Sequence, residues 1–241
     1  MKIESLNQQL NTFFNWTDKQ LFTDISHDYS KFKGYSKTKV QEIVRKRFES
    51  RYGTNTDITI RVLKIEPAII PTFGKNCYLI GKIIYEVEKP NEMKRKGKMI
   101  LYLYSKDEIW AGVEIKDPYG YIDEIFNYVD EGVIEGKDWE AIKEDINGEE
   151  KDLKKLSSRL KGYSRISVRN VIREKLEKRY NFDPSIVAEL QEIEAGVYGL
   201  REKAWVTATL GWAIKVKDRE IDSPVMVLHM YSKDNIKVEW E

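Results

Sequence analysis

Few residues in this chain have the types and spacing that metal binding or nucleophilic catalysis requires. The 241 residues include one cysteine, Cys77, and two histidines, His27 and His229. Zinc sites need clustered Cys and His ligands, and nucleophilic catalysis needs a nucleophile beside its base. Because these three residues are far apart in sequence, we predict no metal site and no catalytic residue. Cys77 is expected in a half-buried strand and His27 in a loop.

The pattern of glycines and acidic residues gives no sign of a cofactor. The glycines are scattered, and neither GxxxxGK[ST] nor GxGxxG occurs. Recurrent acidic residues, such as Asp107 and Asp234, fall where a turn would use them in any case. One enzymatic alternative stays open, in which a tyrosine, lysine, aspartate or His229 acts as acid or base in a cavity between helix and sheet.

Basic residues are concentrated on two helical segments, with Arg45 and Arg51 on the first and Arg173 and Arg179 on the second. A nearby loop adds Lys-Arg-Lys at positions 94–96. These side chains are able to form a stripe that contacts nucleic-acid phosphates. The alternative is a solvated helix face balanced by glutamates one turn away. With 41 basic and 40 acidic residues the chain has no global field, so nucleic-acid binding would depend on a local patch of this kind.

The aromatic residues suggest a different function. Segment 99–104 is apolar at every position, whereas a strand of an antiparallel sheet with one exposed face should alternate. The second face must therefore be covered by the other half of the chain, a second copy of the protein, a protein partner or an apolar ligand. The favoured function is a non-enzymatic binding or adaptor protein that presents an aromatic sheet surface to a protein partner. The candidate residues for this surface are Tyr102, Tyr104, Trp110, His229 and Tyr231.

An internal repeat indicates which elements position these residues. Lys-Gly-Tyr-Ser at 33–36 recurs at 161–164, an offset of 128 residues, and the match continues through 52 and 180. Both segments carry apolar residues at i, i+3, i+4, i+8 and i+12, which predicts a long amphipathic helix. Ser36 and Ser164 occupy the N-cap positions, and Gly53 and Asn181 follow the last apolar residue.

Strand patterns follow each predicted helix. Ile58, Ile60 and Val62 alternate with polar residues and then lose phase, and 186–193 does the same, so we predict a β-bulge or a sharp bend at the same place in both halves. The next strands align at an offset of 129, which matches Tyr85 with Ile214. Segments 99–107 and 226–234 then match through a Ser-Lys-Asp turn, which predicts an antiparallel hairpin with a short fourth strand.

Shorter helices are predicted before each long one. The apolar pattern indicates helices at 3–14 and 122–129, followed by helices that begin at Thr17 and Asp138. Segment 147–153 reads as a loop. The resulting fold class is α+β, a tandem duplication of a helix-plus-four-stranded-antiparallel-sheet unit with domains at 1–117 and 118–241. This topology is similar to cystatin-like and NTF2-like folds, but the chain has no motif of either family, so the similarity implies no function.

The N-terminus and the single cysteine favour a cytoplasmic protein. The first residues lack the apolar core of a signal peptide, and no apolar run approaches the ~20 residues of a membrane span. One cysteine permits no intrachain disulfide, as is typical of a reducing compartment. We expect no membrane association, and we expect a protein partner or homo-oligomer, with nucleic acid as the alternative partner.

Overall fold

The computed structural model describes residues 1–23, 27–71, 77–117, 120–134, 150–181, 183, 185–199 and 203–241. The chain is mixed α+β and divides into two compact units, Met1–Glu114 with Phe182–Ser185, and Ile115–Asn181 with Ile186–Glu241. Pro118, at the predicted seam, lies outside the described residues. The boundary between 117 and 118 therefore stays a prediction.

The first unit combines two α-helices with a five-stranded sheet. Its elements are β1 (Lys2–Glu4), α1 (Leu6–Thr23), a 3₁₀ turn (Ser30–Phe32), α2 (Lys37–Tyr52), β2 (Thr59–Pro71), β3 (Cys77–Glu88), β4 (Arg95–Leu103) and β5 (Ile109–Gly112). The sheet order is β1-β2-β3-β4-β5, and β2 to β5 pair antiparallel.

The second unit likewise combines α-helices with one β-sheet. Its elements are β6 (Glu114–Lys116), α3 (Tyr121–Asn127), a π-helical turn (Tyr128–Ile134), α4 (Glu150–Leu160), α5 (Arg165–Arg179), β7 (Ile186–Tyr198), β8 (Trp205–Val216), β9 (Arg219–Asp222), β10 (Val225–Ser232) and β11 (Asn235–Trp240). The sheet order is β11-β10-β8-β7-β6, and β9 pairs with β8 off this path.

Several details of the predicted architecture are wrong, and the first is the strand count, since the two sheets have five and six strands and not four. The sheets are mixed rather than purely antiparallel, since β1 pairs parallel to β2 with Ile3 opposite Ile60. Ile3 was assigned to a helix because its spacing to Leu6 fits a helical period, but pairing with the edge of β2 satisfies its backbone instead. The two short helices predicted in the first half are one helix, α1.

The corresponding segment of the second half also differs from the prediction. Residues 150–153 begin α4 and are not a loop. Lys154, Lys155 and Leu156 continue an amphipathic pattern that outweighs the glycine and acidic residues before it. The helix predicted from Asp138 lies outside the described residues.

The long helices and the bulges are confirmed. The side-chain oxygens of Ser36 and Ser164 each accept a hydrogen bond of 3.2 Å from the backbone N–H three residues later. Register shifts follow Val62 in β2 and Leu190 in β7, where one extra residue bulges from each strand. The Ser-Lys-Asp hairpins pair antiparallel as predicted.

Each unit buries an apolar helix face against one face of its sheet. In the first unit Val40, Val44 and Phe48 of α2 are fully buried, and in the second Val168, Ile172 and Leu176 of α5 are buried in the same pattern. Helix α2 contacts β5, and α5 contacts β11. At the C-terminal ends of these helices, Tyr52 hydrogen-bonds to Tyr85 of β3 and Tyr180 hydrogen-bonds to Asp222 of β9.

Strand register changes the alignment between the two halves. Tyr85 lies opposite Val62, and Trp212 lies opposite Leu190, the residue that matches Val62 in the repeat. Tyr85 therefore corresponds to Trp212, at an offset of 127, and not to Ile214. The sequence alternates apolar residues with a period of two, so a slip of two positions leaves the pattern unchanged and only the pairing shows it.

Candidate functional site

A basic pocket lies in the first unit, at the C-terminal end of α2 and the connection between β3 and β4. Its cavity volume is about 210 Å³. The lining residues are Arg51 and Tyr52 from α2, Val87 from β3, Lys89, Glu92 and Met93 from the connection, and Arg95 and Lys96 from β4. The structure thus brings Arg51 together with Arg95 and Lys96 of the Lys-Arg-Lys segment, whereas Lys94 pairs with Glu88 at 3.0 Å.

The charges that line this pocket are unbalanced. Four basic side chains face one acidic side chain, Glu92, which pairs with Lys89 at 3.6 Å and with Arg95 at 3.5 Å. Within the described part of the chain, neither Arg51 nor Lys96 forms an ion pair. The pocket therefore has an excess of positive charge, and an anion is the complementary ligand.

Aromatic contacts fix the position of Arg51. Its guanidinium carbon lies 5.5 Å from the centroid of the Tyr52 ring. The Tyr52 and Tyr85 hydroxyl oxygens are 2.9 Å apart and share a hydrogen bond. Burial raises the pKa of Tyr85, so its hydroxyl stays protonated. When Tyr85 donates to Tyr52, the Tyr52 proton is available to an acceptor in the pocket.

The second unit has a similar arginine–tyrosine pair, and an acidic residue lies beside it. The guanidinium carbon of Arg179 lies 5.8 Å from the Tyr180 ring, and Arg179 pairs with Asp222 at 3.4 Å. The Tyr180 hydroxyl donates a hydrogen bond of 2.7 Å to the same Asp222 oxygen. This hydrogen bond is the main reason that the pKa of Asp222 is below its usual value. The acid thus neutralises the arginine within the unit.

Strand register identifies the residue of the first unit that takes the place of Asp222. Asp222 lies opposite Ile214, and Arg95 lies opposite Val87, the residue that corresponds to Ile214 at an offset of 127. Because directly opposed residues share a sheet face, Arg95 and Asp222 hold comparable sheet positions in their two units. The charge at this position is reversed between the two units.

The other predicted basic residues do not belong to this pocket. Arg45 is exposed on α2, and Arg179 is exposed but paired with Asp222. Arg173 is only 4% exposed and lies in a buried row of α5 with Arg169 and Glu177. The basic stripe predicted on the second helix is therefore interrupted at Arg173, because that side chain is buried.

The aromatic candidates of the first unit are largely buried. Tyr102 and Trp110 are 2% and 8% exposed, and their ring centroids are 5.4 Å apart. Ile100, on the same face of β4, is also buried, while Tyr104 is partly exposed and stacks on Tyr102 at 5.7 Å. Both faces of β4 therefore carry buried residues. Tyr102 and Trp110 are not presented at a surface.

In the second unit the corresponding face carries a partly exposed cluster. The rings of Trp205 and Tyr231 are 5.6 Å apart, and those of His229 and Tyr231 are 5.9 Å apart. His229 Nδ1 and the Thr207 hydroxyl lie 3.1 Å apart across β10 and β8. Lys237, opposite His229 on β11, lies over the Tyr231 ring. His229 is thus held in a packed cluster of the second unit. Cys77 is buried in the first unit.

Several residues of the site were not identified from sequence. Lys89, Tyr52 and Met93 were missed, although the turn residues Pro90 and Asn91 predict that a hairpin brings Lys89 back towards Arg95. Asp222 was missed because strand β9 was not predicted. No apolar alternation marks that short strand, so only its pairing with β8 defines it.

Among the described residues no group of three or more Cys, His, Asp and Glu side chains is placed to bind a metal ion. In the same part of the chain, no helix has the length and apolarity needed to cross a bilayer. Comparison with protein-family models, with curated proteins and with solved structures returned no match to this chain.

Proposed function

We propose that this chain is a non-enzymatic binding protein that takes a single-stranded nucleic acid through the basic pocket of its first unit. The observation that supports this most strongly is the convergence of Arg51, Lys89, Arg95 and Lys96 on one cavity with a single acidic residue, Glu92. Phosphate contacts from arginine and lysine supply most of the affinity of sequence-independent nucleic-acid binding.

The neighbouring side chains favour a nucleic acid over an acidic peptide. Met93 is 88% exposed at the rim of the pocket, and Tyr52 lines its wall. A single strand offers unstacked bases beside its phosphates, and bases pack on aromatic and apolar side chains. A pocket that combines cations with an exposed apolar residue therefore fits a single-stranded nucleic acid better than an acidic peptide, which offers carboxylates but no bases.

The test is the binding of a fluorescently labelled single-stranded oligonucleotide of about ten nucleotides, followed by anisotropy. We expect binding at about 50 mM salt that weakens steeply towards about 200 mM. Polyglutamate of similar length is the comparison ligand. Absence of oligonucleotide binding at low salt would contradict the proposal, and equal binding of polyglutamate would indicate an acidic protein partner instead.

A second candidate function is protein binding through the face of the second sheet that carries Trp205, His229 and Tyr231. These residues contact one another and are partly exposed, and aromatic residues are enriched at interfaces. Tyr198, on the neighbouring strand, is 51% exposed. The partner is a second copy or another protein. Sedimentation of wild type and Tyr231→Glu tests the former, and a concentration-independent monomer would exclude it.

The enzymatic alternative gains no support from the helix–sheet interior of the first unit. Phe13, Phe14, Phe48 and Tyr85 fill that interior and are essentially inaccessible to solvent. A binding function without chemistry is the simpler interpretation.

We also infer that the two units arose by tandem duplication. The repeat of sequence is accompanied by serine caps on both long helices and by bulges at matched positions. A backbone hydrogen bond from Lys106 to Lys31 is repeated between Lys233 and Arg159. We propose separately that the protein is cytoplasmic and that the topology of its units is similar to cystatin-like and NTF2-like folds.

A further inference from the structure

The second unit shows how an acidic group binds at the arginine–tyrosine pair. One Asp222 oxygen accepts a hydrogen bond from the Tyr180 hydroxyl at 2.7 Å and lies 3.4 Å from an Arg179 nitrogen. The other Asp222 oxygen accepts from the Ser223 N–H at 2.9 Å. This carboxylate therefore occupies the site from within the chain.

In the first unit the same pair faces a cation. Arg51 lies over Tyr52 as Arg179 lies over Tyr180. The sheet position that matches Asp222 is held by Arg95, which lines the same cavity as Arg51 and Tyr52 and pairs with Glu92 at 3.5 Å. Glu92 pairs with Arg95 and Lys89 and balances only one of the four cations at this cavity, so the remaining positive charges repel one another unless a further anion binds. Guanidinium groups bind phosphate oxygens in a paired geometry that lysine does not reproduce.

We propose that one phosphate group of the ligand binds between Arg51 and Arg95 in the place that Asp222 fills in the second unit. This inference rests on the proposed function for the identity of the ligand, but the anion site can be tested separately. The phosphate accepts a hydrogen bond from the Tyr52 hydroxyl, which Tyr85 orients. The cavity, at about 210 Å³, is smaller than the ~300–1,000 Å³ of most small-molecule sites, so it holds one group and not a whole nucleotide.

The decisive variant is Arg95→Asp, which places the acid of the second unit in the first. We expect a new ion pair with Arg51, a stable fold and at least a ten-fold loss of oligonucleotide affinity. Lys161→Asp, at an exposed turn of the second unit, makes the same change in net charge and is the matched control. It should weaken binding no more than about two-fold.

Three further variants separate geometry from charge. Arg51→Gln should weaken oligonucleotide binding about ten-fold. Arg51→Lys should bind almost as weakly as Arg51→Gln, because lysine lacks the forked pair of donors of a guanidinium group. Arg179→Gln removes the matching arginine of the second unit and should leave affinity within two-fold, since Asp222 already neutralises it. Equal weakening by Arg51→Gln and Arg179→Gln would overturn the site while leaving nucleic-acid binding intact.

Pyrophosphate tests the anion site without a nucleic acid. At saturating concentration it should raise the melting temperature of wild type by about 2–4 °C or more, and it should have no such effect on Arg95→Asp. If oligonucleotides fail to bind but pyrophosphate acts in this Arg95-dependent way, the anion site stands and the proposed ligand is wrong. If pyrophosphate stabilises wild type and Arg95→Asp equally, the anion site is wrong.

Discussion

The Tyr180 hydroxyl donates a 2.7 Å hydrogen bond to Asp222, whereas its counterpart Tyr52 shares a hydrogen bond with another tyrosine. The bond to Asp222 stabilises the ionised carboxylate and lowers its pKa. Asp222 therefore stabilises the fold above its unfolded pKa near 3.9, and this contribution is lost as the pH falls through the lower folded value.

Asp222→Asn should accordingly reduce the free energy of unfolding at neutral pH and have little effect near pH 2. Because Asp222 is more than a third exposed, we expect less than about 1 kcal/mol at pH ~7. Urea unfolding at both pH values measures the difference. Asp218→Asn, in the exposed turn before β9, is the control. A loss from Asp222→Asn that is as large at pH ~2 as at pH ~7 would argue against the ion pair.

The salt dependence of binding should report which pocket lysines contact phosphates. Lys96 forms no ion pair among the described residues, although Glu86 lies opposite it on β3, whereas Lys89 pairs with Glu92. Lys96→Gln should therefore reduce the slope of log K against log salt by about 1, and Lys89→Gln by less. Lys217→Gln, in a turn of the second unit, should leave the slope unchanged. Titrations at several salt concentrations measure the slopes.

Gly97 is required for the packing of Tyr85. A Cβ atom at Gly97 would approach Tyr85 Cε2 to 2.5 Å and the hydroxyl oxygen to 2.7 Å. Gly97→Ala should therefore destabilise the first unit by about 1–3 kcal/mol and weaken ligand binding, because Tyr85 must move. Gly196→Ala meets only the partly exposed Tyr198 ring at 3.2 Å and should change stability by less than about 0.5 kcal/mol. Thermal unfolding of both variants distinguishes these outcomes.

The serine caps should contribute to stability in both units. Ser36→Ala and Ser164→Ala each remove a side-chain acceptor at the start of a long helix, at a cost of about 1 kcal/mol. Ser50→Ala, at an exposed position inside α2, should be neutral or slightly stabilising because alanine is the better helix former. A denaturant series that gives all three variants the same midpoint would show that the caps are not important.

The sequence predicted the elements whose signals are local. Caps, apolar periods and the shared loss of phase at Val62 were sufficient for the long helices and the bulges. The strand β1 and the strand β9 are defined only by pairing with a distant segment, so their short sequences did not predict them.

The same reason explains the uneven prediction of the site. Arg51 and Arg95 were identified as basic candidates because charge is visible in sequence. The match between Arg95 and Asp222 follows from strand pairing, because Arg95 lies opposite Val87 of β3 and Asp222 lies opposite Ile214 of β8. No local sequence pattern contains that information. The burial of Tyr102 likewise depends on the residues that cover β4, and the sequence of β4 itself does not identify them.

The bulges also determine where these strands tolerate a change of length. Leu63 and Gln191 are the unpaired extra residues, since Val62 and Lys64 lie opposite consecutive residues of β3, as do Leu190 and Glu192 on β8. Deletion of Leu63 would leave Val62 and Ile65 facing the core and would only straighten the strand. Deletion of an interior residue of β2 away from the bulge would turn one part of the strand inside out. Single-residue insertions and deletions among relatives of this chain should therefore collect at these two positions.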